Sequence, residues 1–148
     1  MRHLAALSLA FAISACTAPA EVPIEKATFA AALGVDLTQS MKTASGLYVR
    51  ELTVGAGDEA KAGSLVTMRY TGWLPDGTQF DSNQDKGFQF NLGKGEVIAG
   101  WDQGVPGLKV GGTRQLIIPP GLGYGSSGVG PIPGNAILVF SVTMMSSP

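Results

Sequence analysis

Residues 121–130 read GLGYGSSGVG, and Gly123, Gly125 and Gly128 meet the G-x-G-x-x-G spacing that cradles a pyrophosphate when a strand precedes it and a helix follows. The preceding RQLIIPP reads as a strand end, but VGPIPGNA follows, with Pro131, Pro133 and Gly134 where the helix would have to begin. Without a helix N-terminus there is neither a dipole nor a fan of free N–H groups aimed at an anion. The spacing therefore does not make a nucleotide site, and the chemistry this loop offers is one phenol, Tyr124. Other reactive groups are scarce. The one histidine is His3 and the one cysteine is Cys16. Beyond residue 16 the chain holds no imidazole or thiol for base, nucleophile or metal ligand, so acid–base work would fall to a carboxylate such as Asp81.

These residues sit in a chain of 148, of which 14% are charged, with 10 basic against 11 acidic side chains and a net charge of −1. No basic stripe exists, which argues against nucleic acid as a partner. Gly at 21 and Pro at 9 are many for this length, yet 45% hydrophobic residues are too many for a disordered chain. The glycines punctuate a folded, turn-rich domain with one core.

The first residues read as a targeting signal. MRH is a short positive start, and LAALSLAFAISA is an apolar stretch too short to span a bilayer as a stable helix. Ile13-Ser14-Ala15-Cys16 resembles the lipobox of bacterial lipoproteins, in which the cysteine is lipidated and becomes the first mature residue. On that reading residues 1–15 are a signal peptide and Cys16 anchors an exported domain to the cell envelope, facing the periplasm. Two alternatives stay open: cleavage after Ala18-Pro19-Ala20, which gives a soluble exported protein, and Cys16 as an ordinary buried apolar residue. A lone cysteine forms no internal disulfide, so an oxidising compartment is harmless to the fold.

Residues 16–45 form a second zone. TAPAEVPIE is a short tether, and Phe29, Leu33, Leu37 and Met41 recur four apart, which predicts one face of a short helix weakened by Gly34. From Gly46 the period changes to two. LYVRELTVG, SLVTMRYTGWL, FQFNL, TRQLIIP and AILVFSVTMM are rich in β-branched and aromatic residues and are bounded by turn formers. Pro75-Asp76-Gly77-Thr78 reads as the turn after the second of them. Between the third and fourth, Val97, Trp101, Val105 and Leu108 recur at helical spacing until Gly111-Gly112 ends the pattern. The economical architecture is α+β, an antiparallel β-sheet wrapped around one short α-helix.

The succession YTGWLPDGTQFDSN, FQFNLGKGEVIAGWDQGVPGLKVGG, IPPGLGYG and ILVFSVTMM resembles the FKBP-type peptidyl-prolyl isomerases over residues 46–146. The resemblance implies an FKBP-like domain over 46–148 that turns over Xaa-Pro bonds in unfolded or partly folded exported proteins and binds macrolide inhibitors, with no cofactor and no metal. It implies Trp101 as the floor under the proline ring, with Tyr70, Phe80, Phe88 and Phe140 as walls. Val97 and Ile98 would complete the rim, and Ile132 would lie on the loop covering the cleft. Tyr124 would give its phenol to a substrate carbonyl, the Ile98 N–H would donate to the next one, and Asp81 would sit near the twisting carbonyl. Asp81 reads equally as a turn residue receiving backbone N–H groups. Two departures stand out: the stretch between Asp81 and Phe88 lacks the arginine that often pairs with the aspartate, leaving Lys86, and Val129 and Pro131 stand where many members carry His and Ile. A reading of a different class is a chaperone-like module that holds apolar Pro-containing segments without turnover.

Overall fold

Alternation with a period of two lets one sheet serve two apolar layers, and that is how this chain is built. The structure, a computed structural model, describes residues 20–147. The signal peptide read over residues 1–15 and the lipidation candidate Cys16 lie outside the described residues. Strands β1 (Met41–Lys42), β2 (Tyr48–Thr53), β3 (Leu65–Trp73), β4 (Gln79–Asn91), β5 (Thr113–Ile118) and β6 (Leu138–Ser146) form one antiparallel sheet in the order β1-β2-β5-β6-β3-β4. The helix α1 (Ala99–Gly104) lies between β4 and β5 in the chain and packs on one face. The α+β architecture is that expected from the sequence.

Register explains the two layers. Val49, Leu116, Phe140 and Gly72 are successive cross-strand partners through β2, β5, β6 and β3, and the row ends at Asp81 on β4. Their neighbours one residue along, Tyr48, Ile117, Val139 and Trp73, form an equivalent row that points to the opposite face. The first row belongs to the main core around Trp101, Leu108, Phe90 and Met68. The second is packed by Ile24, Phe29, Leu33 and Leu37 from the N-terminal extension. Gly100 and Gly104, four apart, set the helix against the sheet: a Cβ on them would lie 2.6 Å from Ile118 and 2.7 Å from Leu116.

Two sequence expectations change in detail. The helical pattern from Val97 to Leu108 yields an α-helix of 6 residues only, because Pro106 lacks the N–H needed to continue it and Gly107 turns into the left-handed region at φ 89°. The four-apart pattern from Phe29 to Met41 does not form one helix. It forms 3-10 turns at Ala31–Leu33 and Leu37–Gln39, after an earlier one at Ile24–Lys26, and Met41 is 65% exposed at the start of β1. Gly34 breaks the path at φ 59°, and the Asp36 carboxylate then accepts the Thr38 N–H at 2.9 Å, starting a new turn. Phe29, Leu33 and Leu37 still reach one surface, since each turn is separately laid on the same sheet face.

Polar contacts fasten this strap. The Ala30 N–H donates to the Pro75 carbonyl at 2.7 Å, Gln115 Nε2 to the Leu33 carbonyl at 2.8 Å, and Arg50 to the Gly34 carbonyl at 3.1 Å. Glu25 accepts from Lys42 and from the Tyr48 hydroxyl, and these donors, Lys42 first, hold its carboxyl down at about 2. A depressed carboxylate stabilises fully above its unfolded pKa, and that contribution is lost as pH falls through the folded value. Amide exchange over 20–40 should therefore rise as pH drops from about 4.5 towards 2, beyond the intrinsic pH dependence. Glu25→Gln should remove that extra rise; a variant with the wild-type profile would mean that Glu25 does not fasten the strap.

Candidate functional site

The helix-side face of the sheet stays open at one end, where its layer is aromatic. Trp101 is 4% exposed, and its ring centroid lies 5.0 Å from Tyr70 and 5.3 Å from Phe140, both edge-on. Phe88 stands 6.3 Å away on another side, with Phe90 behind it. Such edge-to-face contacts hold rings in fixed orientations. The cleft they frame has a volume of about 500 Å³ and is completed by Val97, Ile98, Tyr124, Asp81 and Glu96. The Trp101 indole N–H is buried and makes no hydrogen bond among the described residues, so the ring face is what this residue presents.

Strand β4 brings Asp81 and Phe88 into the same cleft although they are 7 apart in the chain, an odd separation that in a regular strand would send them to opposite faces. One irregularity corrects this. Residues 84–87 stand opposite Arg69 alone, between the pairs Met68–Phe88 and Tyr70–Asn83. The Asn83 side chain closes that excursion on Gly87, donating to its carbonyl at 3.1 Å and accepting its N–H at 3.2 Å. A second slip between Gly72 and Trp73 leaves Phe80 without a partner of its own, free to pack edge-on against Phe140 at 5.4 Å. Phe80 thus supports a wall from behind and does not line the cleft.

The Asp81 carboxylate plays two parts at once. It accepts the Ser82 N–H at 2.8 Å, as a turn residue would, and the Tyr70 hydroxyl at 2.7 Å. Lys86 is exposed and forms no ion pair among the described residues. Burial, then the bond to Asp81, pushes the Tyr70 phenol well above the usual tyrosine range. Burial, then the Asp81 charge, also raises Tyr124. The Tyr124 hydroxyl has no intramolecular partner among the described residues, and neither has the Ile98 N–H, which precedes the first turn of α1. Both are free donors at the cleft.

The glycine loop holds Tyr124 in place by close backbone packing. A Cβ on Gly128 would lie 2.2 Å from the Ile132 carbonyl, and the Asn135 N–H donates to the Gly125 carbonyl at 2.8 Å. No helix follows, and the loop turns back through reciprocal Val129–Ile132 backbone bonds of 3.0 and 2.9 Å. This corrects one expectation. The tight turn at Gly130-Pro131 rotates Ile132 inward, where it is 6% exposed in the core and does not line the cleft. Val129 is exposed in the same turn, as are Gly130 and Pro131. Glu96 was not singled out from sequence; its approach to the cleft follows from the turn between β4 and α1. Among the described residues no group of three His, Cys, Asp or Glu side chains is placed to hold a metal ion, and no helix is long and apolar enough to cross a membrane.

A second groove of about 730 Å³ runs between the strap, the Leu74-Pro75-Asp76 turn and residues 133–137. It is larger than the aromatic cleft, but Phe29 is its one aromatic lining residue against five in the cleft, so the cleft is the candidate for chemistry.

Comparison with known proteins agrees with this geometry. The family described as FKBP-type peptidyl-prolyl cis-trans isomerase matches residues 57–145, and the chain belongs to that family. It is 49% identical over 109 residues to FK506-binding protein 4 of Aspergillus oryzae, which covers 73% of this chain and 23% of that relative. The chain therefore spans about a quarter of the length of such curated relatives. The crystal structure of AtFKBP13 superposes with a TM-score of 0.69 at 38% identity, covering 74% of this chain and 98% of that one. FkpA from Escherichia coli superposes with a TM-score of 0.68 at 35% identity, covering 74% and 51% respectively.

Two substitutions separate floor from donor. Trp101→Ala should cost about 3–5 kcal/mol in denaturant unfolding, because it removes a large ring from a packed layer. Tyr124→Phe removes a hydroxyl that bonds nothing within the fold and should cost less than about 1 kcal/mol. Equal losses would place Tyr124 in the core rather than at the cleft.

Proposed function

We propose that the cleft binds an Xaa-Pro segment of a polypeptide and accelerates its cis-trans interconversion. The observation that carries this reading is the pairing of a dry aromatic floor with two donors, the Tyr124 hydroxyl and the Ile98 N–H, that have no partner within the fold. The barrier to rotation is roughly 18–20 kcal/mol and comes from amide resonance, which the twisted transition state has lost. The planar amide is the more polar form. A cleft that replaces its water with apolar rings disfavours it relative to the twisted form, and each 1.4 kcal/mol or so of that difference is about tenfold in rate. Trp101 supports the proline ring, Tyr70, Phe88 and Phe140 wall it, and Tyr124 and Ile98 hold the flanking carbonyls. Asp81, fixed by Tyr70, lies near the rotating carbonyl.

No proton transfer is needed. The raised phenols keep their protons to higher pH than ordinary tyrosines, so the donors persist throughout the neutral range and beyond. Isomerisation of a Leu-Pro or Phe-Pro tetrapeptide should vary less than about twofold in kcat/KM between pH 6 and 8. It should be competitively inhibited by the macrolide FK506, after which the curated relatives are named. Binding of the peptide without turnover would establish the chaperone-like alternative; a bell-shaped profile centred near neutrality would overturn the mechanism.

The surroundings of the domain belong to the same proposal. Ile13-Ser14-Ala15-Cys16 supports export with a lipid anchor on Cys16, which would place the domain in the bacterial cell envelope among exported, partly folded clients. Cys16→Ser should release the protein from the membrane fraction of a bacterial host while leaving tetrapeptide isomerisation intact. A soluble wild-type protein beginning at Glu21 would overturn the anchor.

A further inference from the structure

The charged side chains that line the cleft, Asp81 and Glu96, are both carboxylates, and no Lys or Arg lines it. They are not a site by themselves; they form part of the rim of the aromatic cleft already described. What distinguishes them is how their charge is handled. Asp81 accepts only neutral donors, the Tyr70 hydroxyl at 2.7 Å and the Ser82 N–H at 2.8 Å. Glu96 likewise accepts the Asn91 N–H at 2.8 Å and the Asn91 side-chain amide at 2.9 Å. Neutral donors fix a carboxylate's orientation and leave its net charge in place, whereas a paired cation would cancel it.

The candidates for cancellation lie elsewhere. The ion pairs among the described residues are Lys42–Glu25 and Arg114–Glu51, one between β1 and the strap and one between β5 and β2. Lys86 lies in the β4 excursion and Lys94 two residues before Glu96, but both are exposed and neither closes on a carboxylate of the cleft. Two uncompensated negative charges thus stand on a rim whose floor is an apolar layer, and apolar walls weaken the screening of charges that face a cleft.

We infer that the cleft selects proline segments flanked by basic residues and disfavours those flanked by acidic ones. This rests on the isomerase reading of the cleft and narrows its substrate class. The aromatic cage takes the proline ring in either case; the carboxylates act on the neighbouring side chain, which extends past the rim. An attraction of this partly exposed kind amounts to roughly two- to fivefold per carboxylate.

The test uses the full chain and three sets of tetrapeptides that share one Xaa-Pro pair and carry Lys, Gln or Glu beside it, on either side. At low ionic strength kcat/KM should fall in the order Lys, Gln, Glu, with about tenfold between the ends. At 1 M salt, where the screening length is about 3 Å, the ends should approach within about twofold. Glu96→Gln, which keeps an acceptor for Asn91, should shrink the Lys-to-Glu ratio about threefold. That ratio is immune to any uniform loss of activity or of folded protein. Turnover of all three sets with equal kcat/KM at low salt, or a ratio unmoved by Glu96→Gln, would overturn the inference while the isomerase reading stood. If no peptide is turned over, that reading falls, and the same ratio measured as Kd by tryptophan emission decides the charge preference by itself: a Lys peptide bound no tighter than its Glu counterpart overturns it.

Discussion

Everything on the working face of this sheet depends on a missing side chain at Gly72. The residue is the last but one in a row that runs from Val49 to Asp81, flanked by Phe140 on one strand and Asp81 on the other. A Cβ there would lie 2.6 Å from the Phe80 ring and 2.7 Å from the Phe140 ring, distances at which something has to move. The gap lets the two rings meet edge-on over the strand. Phe140 is thereby fixed against Trp101, and Trp101 against Tyr70. The cost of a glycine inside a strand, lost entropy and lost packing, is offset by the contacts of the rings that fill its place.

The other face follows from the same alternation. Once Phe140 and Leu116 point towards the helix, Val139 and Ile117 must point away from it. An open apolar row of that length invites association with other surfaces, and here residues 24–37 cover it. The strap therefore contributes to the sheet's burial without touching the cleft, which explains why it uses separate turns. Each turn needs only to deliver one or two apolar side chains to a flat surface. Among the bonds that fasten the strap, the Ala30–Pro75 bond reaches the hairpin that joins β3 to β4.

This shows why the sequence was legible in some places and not in others. Strands built from β-branched alternation were readable because local pattern and tertiary burial ask for the same thing there. The strap departs from the sequence pattern because residues four apart satisfy a helix and a series of short turns equally well, and the backbone at Gly34 decides between them. The sequence pattern starts strand β4 near Phe88, since SNQDKG carries no apolar alternation, yet β3 also pairs with Gln79 and with residues 81–83. Its bulge is invisible in composition, although it alone brings Asp81 and Phe88 to one face. Among the proposed site residues, Trp101, Tyr70, Phe88, Phe140, Val97, Ile98, Tyr124 and Asp81 converge. Phe80 and Ile132 do not line the cleft, for reasons of register and turn geometry that no residue type announces.

The two phenols at the cleft divide one task. Both are raised by burial and by the nearness of Asp81, yet only Tyr70 donates to it. A carboxylate at the edge of an apolar cage attracts any free donor within reach, and if Tyr124 supplied it, the donor would have to be pulled away before a substrate carbonyl could be met. Tyr70 and the Ser82 N–H occupy the carboxylate, and Tyr124 makes no hydrogen bond to it. The Tyr124 hydroxyl thus has no partner among the described residues and stays available at the cleft. A donor fixed in advance in a dry site needs no rearrangement when the amide arrives. The sensitivity of the cleft to a bound chain therefore depends as much on the bond that restrains Asp81 as on the groups that touch the substrate.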